Sequence, residues 1–288
     1  MKNIAKKITV AALTTSLAFG IGTSFVNNQT VGAASDSNKV VVAGSSALLP
    51  LVSQAKKEFI KSNPNVSVLV SGSSSIAGPQ AVQKGAATIG ACDWDATKAA
   101  GGFKAFDGLV AYKVSATPFA AIVNNDNTVS NLTTAQLQKI FTGKITNWKE
   151  VGGPDHDIIV NNRKIGSGTR LNFQAKALNG EDFMSGGNYK EQASSGSMVS
   201  SIASDKYSIG FVDLAYVGGN VKAVSLNGVK PSIANVKNGT YKVWAYGYLL
   251  TKGNATGANK KFIDYIQSAK FQNTTLSSLK FVPFKQAK

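Results

Sequence analysis

KVVVAGSSALLPLVSQAKKEFIKSNPNVSVLVSGSSS, residues 39–75, holds two strand-like runs with a helical pattern between them. Lys39 to Ala43 is rich in β-branched residues and ends in Gly44-Ser45-Ser46. From Leu48 to Ser62, Leu49, Val52, Phe59 and Ile60 fall on one face, with Lys56, Lys57 and Lys61 opposite, which is the spacing of an amphipathic helix. Asn63-Pro64-Asn65 stops that helix, because the residue before a proline is pushed out of the helical region. Val66 to Val70 reads as a second strand, and Ser71 to Ser75 as the turn after it. Strand, helix, strand in this order predicts an α/β fold with a mainly parallel sheet.

The alternation continues outward. Ala87 to Ala91 is a third strand of small residues, after a helical stretch that runs to Gly85. Leu109 to Val114 and Pro118 to Asn124 are apolar runs able to cross between two halves of the molecule. Thr133 to Phe141 reads as a helix capped by Thr133 or Thr134, and Asp157 to Val160 as a strand feeding the turn Gly166-Ser167-Gly168-Thr169. Ser208 to Val212 and Val243 to Leu250 are further strands, and Asn259 to Ala269 a last helix. A chain of 288 residues with this pattern suggests two lobes rather than one.

Lys2, Lys6 and Lys7 precede an apolar run from Ile8 to Ile21, and Val31-Gly32-Ala33-Ala34 supplies small residues after it. That order is an export signal, residues 1–34, with cleavage expected after Ala33 or Ala34. The run is shorter than the ~20 residues of a membrane-spanning helix. The lone cysteine, Cys92, is far from the cleavage site, so no lipid attachment is expected there and no internal disulfide can form. The mature chain is expected outside the cytoplasm, secreted or held at the cell surface. The full chain carries a formal net charge of +16, and without Lys2, Lys6 and Lys7 the mature part keeps 28 basic against 15 acidic residues, a net of +13, which suits an anionic wall polymer, the capture of small anions, or solubility alone. Dispersed lysines and an export signal argue against nucleic acid.

Metal and catalytic chemistry find few carriers. One histidine, His156, sits in a turn sequence, Gly152-Gly153-Pro154-Asp155-His156-Asp157, and with one cysteine it cannot build a transition-metal cluster. No Ser-His-Asp set follows from a single turn histidine, so no enzyme activity and no cofactor are expected. Three Ser- and Gly-rich turns stand out instead: Gly44-Ser45-Ser46, Ser71 to Ser75, and Gly166 to Thr169. Such turns present backbone N–H groups and hydroxyls to an anion, at the strand ends where open α/β sheets bind ligands. The chain's two arginines, Arg163 and Arg170, both flank the third turn. A guanidinium offers the planar fork that suits phosphate-like oxyanions. No Gly-x-x-x-x-Gly-Lys-Ser/Thr sequence is present, which excludes a nucleotide loop of that type.

Four segments together carry a family resemblance: Val41 to Pro50, Gly90-Ala91-Cys92-Asp93, Ile140-Phe141-Thr142-Gly143-Lys144-Ile145-Thr146-Asn147-Trp148, and Asn162 to Arg170. They resemble the phosphate-binding proteins of phosphate ABC importers, over almost the whole mature chain. The resemblance implies a two-lobed periplasmic-binding-protein-like fold with a ligand cleft between lobes. The expected lobes are 35–117 with 243–288, and 118–242. It also implies roles for eight residues. Ser46 and the backbone of Ala47 match first-turn phosphate donors, and Ser73 the second-turn hydroxyl. Asp93 matches the carboxylate that accepts a proton from bound phosphate. Arg163, Ser167, Gly168 and Thr169 match the guanidinium, hydroxyl and backbone donors of the other lobe. Permease subunits of an importer are the implied protein partners, and the chain is expected to act as a monomer. Two departures stand against the pattern: Ile165 takes the place of an acid that normally pairs with the Arg, and Cys92 that of a Ser. Ile165 leaves open a different oxyanion, and the missing lipid anchor with the positive charge leaves open a wall-associated surface protein that has lost the transport role.

Overall fold

The structure, a computed structural model, describes residues 38–288, and the expected export signal with its cleavage site lies outside the described residues. Strand β1 (Lys39–Ser45), helix α1 (Leu49–Ser62) and strand β2 (Ser67–Ser73) open the fold. Helix α1 buries Leu51, Val52, Ala55 and Phe59 and leaves Ile60, one position past this stripe, exposed. β2 runs parallel to β1 over its full length, from Lys39↔Ser67 to Ser45↔Ser73. The ladder therefore continues through residues expected to form a turn, and the chain bends only after Ser73.

Helix α2 (Ala77–Gln83) leads to β3 (Ile89–Cys92), which is wholly buried and parallel to β1. These elements touch backbone to backbone. A Cβ on Gly78 would lie 2.5 Å from the Ala91 carbonyl oxygen, and one on Gly90 2.6 Å from the Gly78 carbonyl carbon. Only glycine permits that approach, and it brings the ends of β1 and β3, hence Ser45 and Asp93, side by side.

The two apolar runs at 109–124 form one strand, β4 (Leu109–Asn124), not two. Its first part pairs with a late strand and its second part with strands of the other half. Pro118, which cannot donate a ladder hydrogen bond, sits at the changeover. The second half then contains β5 (Asn131–Leu132), α3 (Thr134–Phe141), β6 (Ile159–Arg163), α4 (Gly168–Ala177), β7 (Tyr189–Gln192), α5 (Ser195–Ala203) and β8 (Ser208–Asp213). Short β9 (Val221–Ala223), β10 (Ser225–Leu226) and α6 (Ile233–Lys237) follow. Thr133 caps α3 in a reciprocal pair with Gln136. The chain returns through β11 (Trp244–Lys252), which lies antiparallel between β3 and β4, and α7 (Gly257–Gln267).

The main sheet runs β2-β1-β3-β11-β4-β8-β6-β7, with β9 also on β4. Each half has its own apolar core. Val40, Val42, Leu51, Phe59, Ile89 and Phe262 belong to one. Phe141, Trp148, Phe173 and Phe211 belong to the other, where Phe173 of α4 stacks on Phe211 of β8 with ring centres 4.3 Å apart. That stack fixes α4, and with it the turn at residues 166–169. No described helix is long and apolar enough to cross a membrane.

Candidate functional site

Asp93 follows β3 directly and is 1 % exposed. Ser45 at the end of β1 places its Oγ 2.8 and 2.9 Å from the two Asp93 oxygens, and Ser75 Oγ donates to Oδ2 at 3.0 Å. Burial pushes the Asp93 carboxyl up, while the Ser45 and Ser75 hydroxyls and the Arg163 charge hold it down. A carboxylate has about four acceptor positions, so these two hydroxyls leave room for another donor.

The other half meets this carboxylate through α4. Ser167 caps that helix by accepting from Arg170 N at 3.3 Å, and Gly168 N donates to Ser75 Oγ at 3.1 Å. A Cβ on Gly168 would stand 2.5 Å from Ser75 Oγ and 2.6 Å from Asp93 Cβ. Asn172, one turn further on, donates from Nδ2 to the Asp93 carbonyl at 2.7 Å. Thr169 is buried beside them.

Arg163 ends β6 and is 1 % exposed. Its guanidinium donates from Nη2 to Ser46 Oγ and the Ala193 carbonyl, and from Nη1 to Ser195 Oγ, each at 3.3 Å. Burial pulls this guanidinium down from its ordinary range, against the charges of Asp93 and Asp213. Ser46 Oγ also accepts from Ser195 N at 3.1 Å, and Tyr216 OH donates to the Ser46 carbonyl at 2.8 Å. One buried cation, hydroxyls from both halves and a helix start thus converge around one buried carboxylate. That is a donor-rich setting able to hold a small, partly protonated oxyanion.

Of the residues expected in the site, Ser46, Asp93, Arg163, Ser167, Gly168 and Thr169 come together here. Ala47 is buried at the same turn, but its N–H donates to Ser45 Oγ at 3.1 Å. Ser73 does not join them. It is exposed at the last rung of β2, and Ser75, two residues later, carries the inward hydroxyl. The cause is the length of β2: the bend that turns a side chain inward comes after the strand, not inside it. Ile165 is 76 % exposed and, being apolar, offers Arg163 no ion pair; the guanidinium is restrained by Ser46, Ser195 and Ala193. Cys92 is buried, and burial pushes its thiol well up, as suits a small apolar filler. Arg170 braces the turn from outside, donating to the Arg163 carbonyl at 2.7 Å and lying 3.6 Å from Glu191. Sequence reading placed Ser45 and Ser75 in donor turns without giving them a role, and missed Asn172, Ser195, Asp213 and Tyr216. The run Ser73-Ser74-Ser75 carried a signal for Ser75, whereas Ser195 and Asp213 had none, being brought in by the fold alone.

A groove of about 480 Å³ borders Asp93 and Asn172 and is lined also by Trp94, Lys176, Tyr246 and Tyr248. Among the described residues no group of His, Cys, Asp or Glu is placed to hold a metal ion.

Comparison with known proteins gives a consistent set. The family model described as the PBP superfamily domain matches residues 29–270. The phosphate-binding protein PstS of Bacillus subtilis is 38 % identical over 254 residues, 88 % of this chain and 83 % of that protein. A crystal structure described as a putative phosphate ABC transporter substrate-binding protein with bound phosphate, from Clostridium perfringens, is 31 % identical with a TM-score of 0.78. The match covers 85 % of this chain and 99 % of that one. An ABC-type phosphate transport receptor from Vibrio cholerae is 26 % identical with a TM-score of 0.65, over 84 % of this chain and 99 % of the receptor.

Proposed function

We propose, since the chain belongs to the PBP superfamily and within it to the phosphate-binding proteins, that it captures inorganic phosphate outside the cytoplasm and delivers it to an ABC importer. The observation that carries this reading is Asp93, a buried carboxylate set among anion donors: Ser46, Arg163 and the start of α4. A carboxylate beside an anion is unfavourable unless the anion brings a proton to share. Monohydrogen and dihydrogen phosphate bring one and sulfate does not, so the pair of charges that would repel sulfate becomes a hydrogen bond with phosphate.

Ser46, Arg163, Ser167, Gly168 and Thr169 are the donors we assign to the anion, with Ser75 taking the place expected for Ser73. Ala47 N–H remains a donor if Ser45 releases it on binding. We place the lobes at 35–117 with 243–288, and at 118–242, so that β4 and β11 are the strands that join them. Binding and release are the assigned role, and no catalytic step is part of it.

Asp93→Asn tests the proton-sharing role. The amide keeps the size but can donate as well as accept, so sulfate gains relative to phosphate. A charged hydrogen bond contributes roughly 1.5–3 kcal/mol, and the phosphate-to-sulfate preference is expected to fall at least about tenfold in competitive calorimetry. An unchanged ratio would remove Asp93 from the anion contact.

The permease subunits of the importer are the assigned protein partners of a monomeric binding protein. The chain's positive charge supports retention by an anionic wall polymer. Exposed-charge attraction is screened within roughly 3 Å at 1 M salt. Washing cells in salt of that strength is therefore expected to release the protein, and its persistence in a detergent-soluble membrane fraction would refute this mode of retention.

A further inference from the structure

Asp213 is a buried carboxylate that the phosphate contacts leave unused. It closes β8, every residue of which is buried, and it is itself 0 % exposed. Oδ2 lies 3.3 Å from Ser195 Oγ, while Oδ1 is buried without a partner, as is Nε of Arg163. Ser195 Oγ in turn receives Arg163 Nη1 at 3.3 Å and lies 3.4 Å from Ser46 Oγ. Asp213, Ser195 and Ser46 thus form one hydroxyl line that ends at the proposed anion site.

The charge count constrains the state of this line. Arg163 and Asp93 already balance each other. An ionised Asp213 would leave the buried cluster net negative before any anion arrived, with one carboxylate oxygen unsolvated and unpaired, which is costly. The charged and titratable groups that face Asp213 are Arg163 from β6, Asp93 after β3, and Tyr216 from the turn after β8. Burial, then the Asp93 charge, push the Asp213 carboxyl well up, and Ser195 and Arg163 only partly oppose them.

We infer that Asp213 is a positioning residue of the phosphate site: it holds a proton and, through Ser195, turns the Ser46 hydroxyl toward the anion. This inference rests on the phosphate-binding reading above. With its proton, Asp213 donates to Ser195 Oγ, and together with Arg163 Nη1 it fills both Ser195 lone pairs, so Ser195 cannot accept from Ser46 and the Ser46 proton is free to point at phosphate. Without it, the direction reverses: Ser195 must donate to the carboxylate, and Ser46 turns its proton back to Ser195. The anion then loses the Ser46 donor, since both Ser46 lone pairs stay with Arg163 Nη2 and Ser195 N.

A carboxyl that must be protonated in the bound state supports binding below its pKa in the free protein, and that support is lost as pH rises through it, by up to about tenfold in affinity per pH unit. Phosphate's own titration affects every variant equally, so the ratio of dissociation constants isolates Asp213. Calorimetry with inorganic phosphate over a pH series from neutral upward is expected to show the ratio of wild-type to Asp213→Asn Kd rising as the pH rises, because the amide donates at every pH. Ser195→Ala, which cuts the line while keeping Asp213, is expected to flatten the profile in the same way. Parallel profiles for wild type and both variants would overturn the inference. So would a folded Asp213→Asn protein that binds no phosphate, since the negative charge would then be what matters. If the Asn variant does not fold, Ser195→Ala alone decides. Failure of the wild type to bind phosphate at neutral pH would instead overturn the underlying reading.

Discussion

Arg163→Lys is expected to weaken phosphate binding by one to two orders of magnitude, with little change from Arg170→Lys. The guanidinium of Arg163 is fully buried and fans its donors over Ser46, Ser195 and the Ala193 carbonyl. Lysine keeps the charge but not the fork, and its compact ammonium cannot hold these positions and an anion together. Losing one charge-assisted hydrogen bond costs about 1.5–3 kcal/mol, which at about 1.4 kcal/mol per tenfold is roughly a ten- to hundredfold loss. Arg170 points away from the anion donors, toward the Arg163 carbonyl and Glu191, so its replacement removes a brace and not a ligand. Equal phosphate affinity for wild type and Arg163→Lys in calorimetry would take Arg163 out of the site.

Gly168→Ala is the second large effect. One methyl group at this position would meet Ser75 Oγ at 2.5 Å and Asp93 Cβ at 2.6 Å, both far inside normal contact. Neither neighbour can yield cheaply. Ser75 and Asp93 are buried and bonded to each other, and Asp93 is also held by Ser45 and Asn172. The methyl would therefore hold α4 off the carboxylate and break the Gly168 N–H bond to Ser75. Overpacking of this kind costs about 1–3 kcal/mol, so phosphate affinity is expected to fall roughly five- to hundredfold. Gly180→Ala, at a position where a Cβ would meet nothing within 4 Å, controls for a general effect of removing a glycine, although its left-handed backbone adds some local strain. Matching phosphate titrations for Gly168→Ala and wild type would mean that the two halves need not approach this closely when the anion is held.

Much of the fold was legible because its first elements are local. The β-branched run at residues 39–43, the lysine-backed stripe of α1 and the stop at Asn63-Pro64 announce themselves within one or two turns of chain. Arg163 and the Gly-Ser-Gly-Thr turn stood out because the chain's two arginines flank one Ser- and Gly-rich turn, and Asp93 because it sits in a short segment shared with a known family. What escaped was set by distant pairing. Ser73 looked like a turn residue until the parallel ladder with β1 carried β2 past it, leaving Ser75 to face inward. Leu109 to Val114 and Pro118 to Asn124 read as separate runs, yet one strand passes through Pro118 because the pairing partners change at that rung. Ser195 and Asp213 lie in unremarkable stretches, and only the placement of α5 beside β8 brings them to Arg163.

The position of β11 bears on the order in which the molecule can assemble. It inserts between β3 and β4, so Leu250 pairs with Gly90 and with Ala111, across much of the chain. Closing such loops costs entropy before any contact rewards it, and sheets built from distant pairings form slowly. The second half is nearly continuous in sequence, from the later part of β4 to α6, and draws on the end of the chain for little more than Val243 and Val282 in its core. The first half is not: its sheet stays split between β3 and β4 until residues 244–252 arrive. The part of the chain that comes first is thus the part whose sheet must wait for the return of residues 244–252.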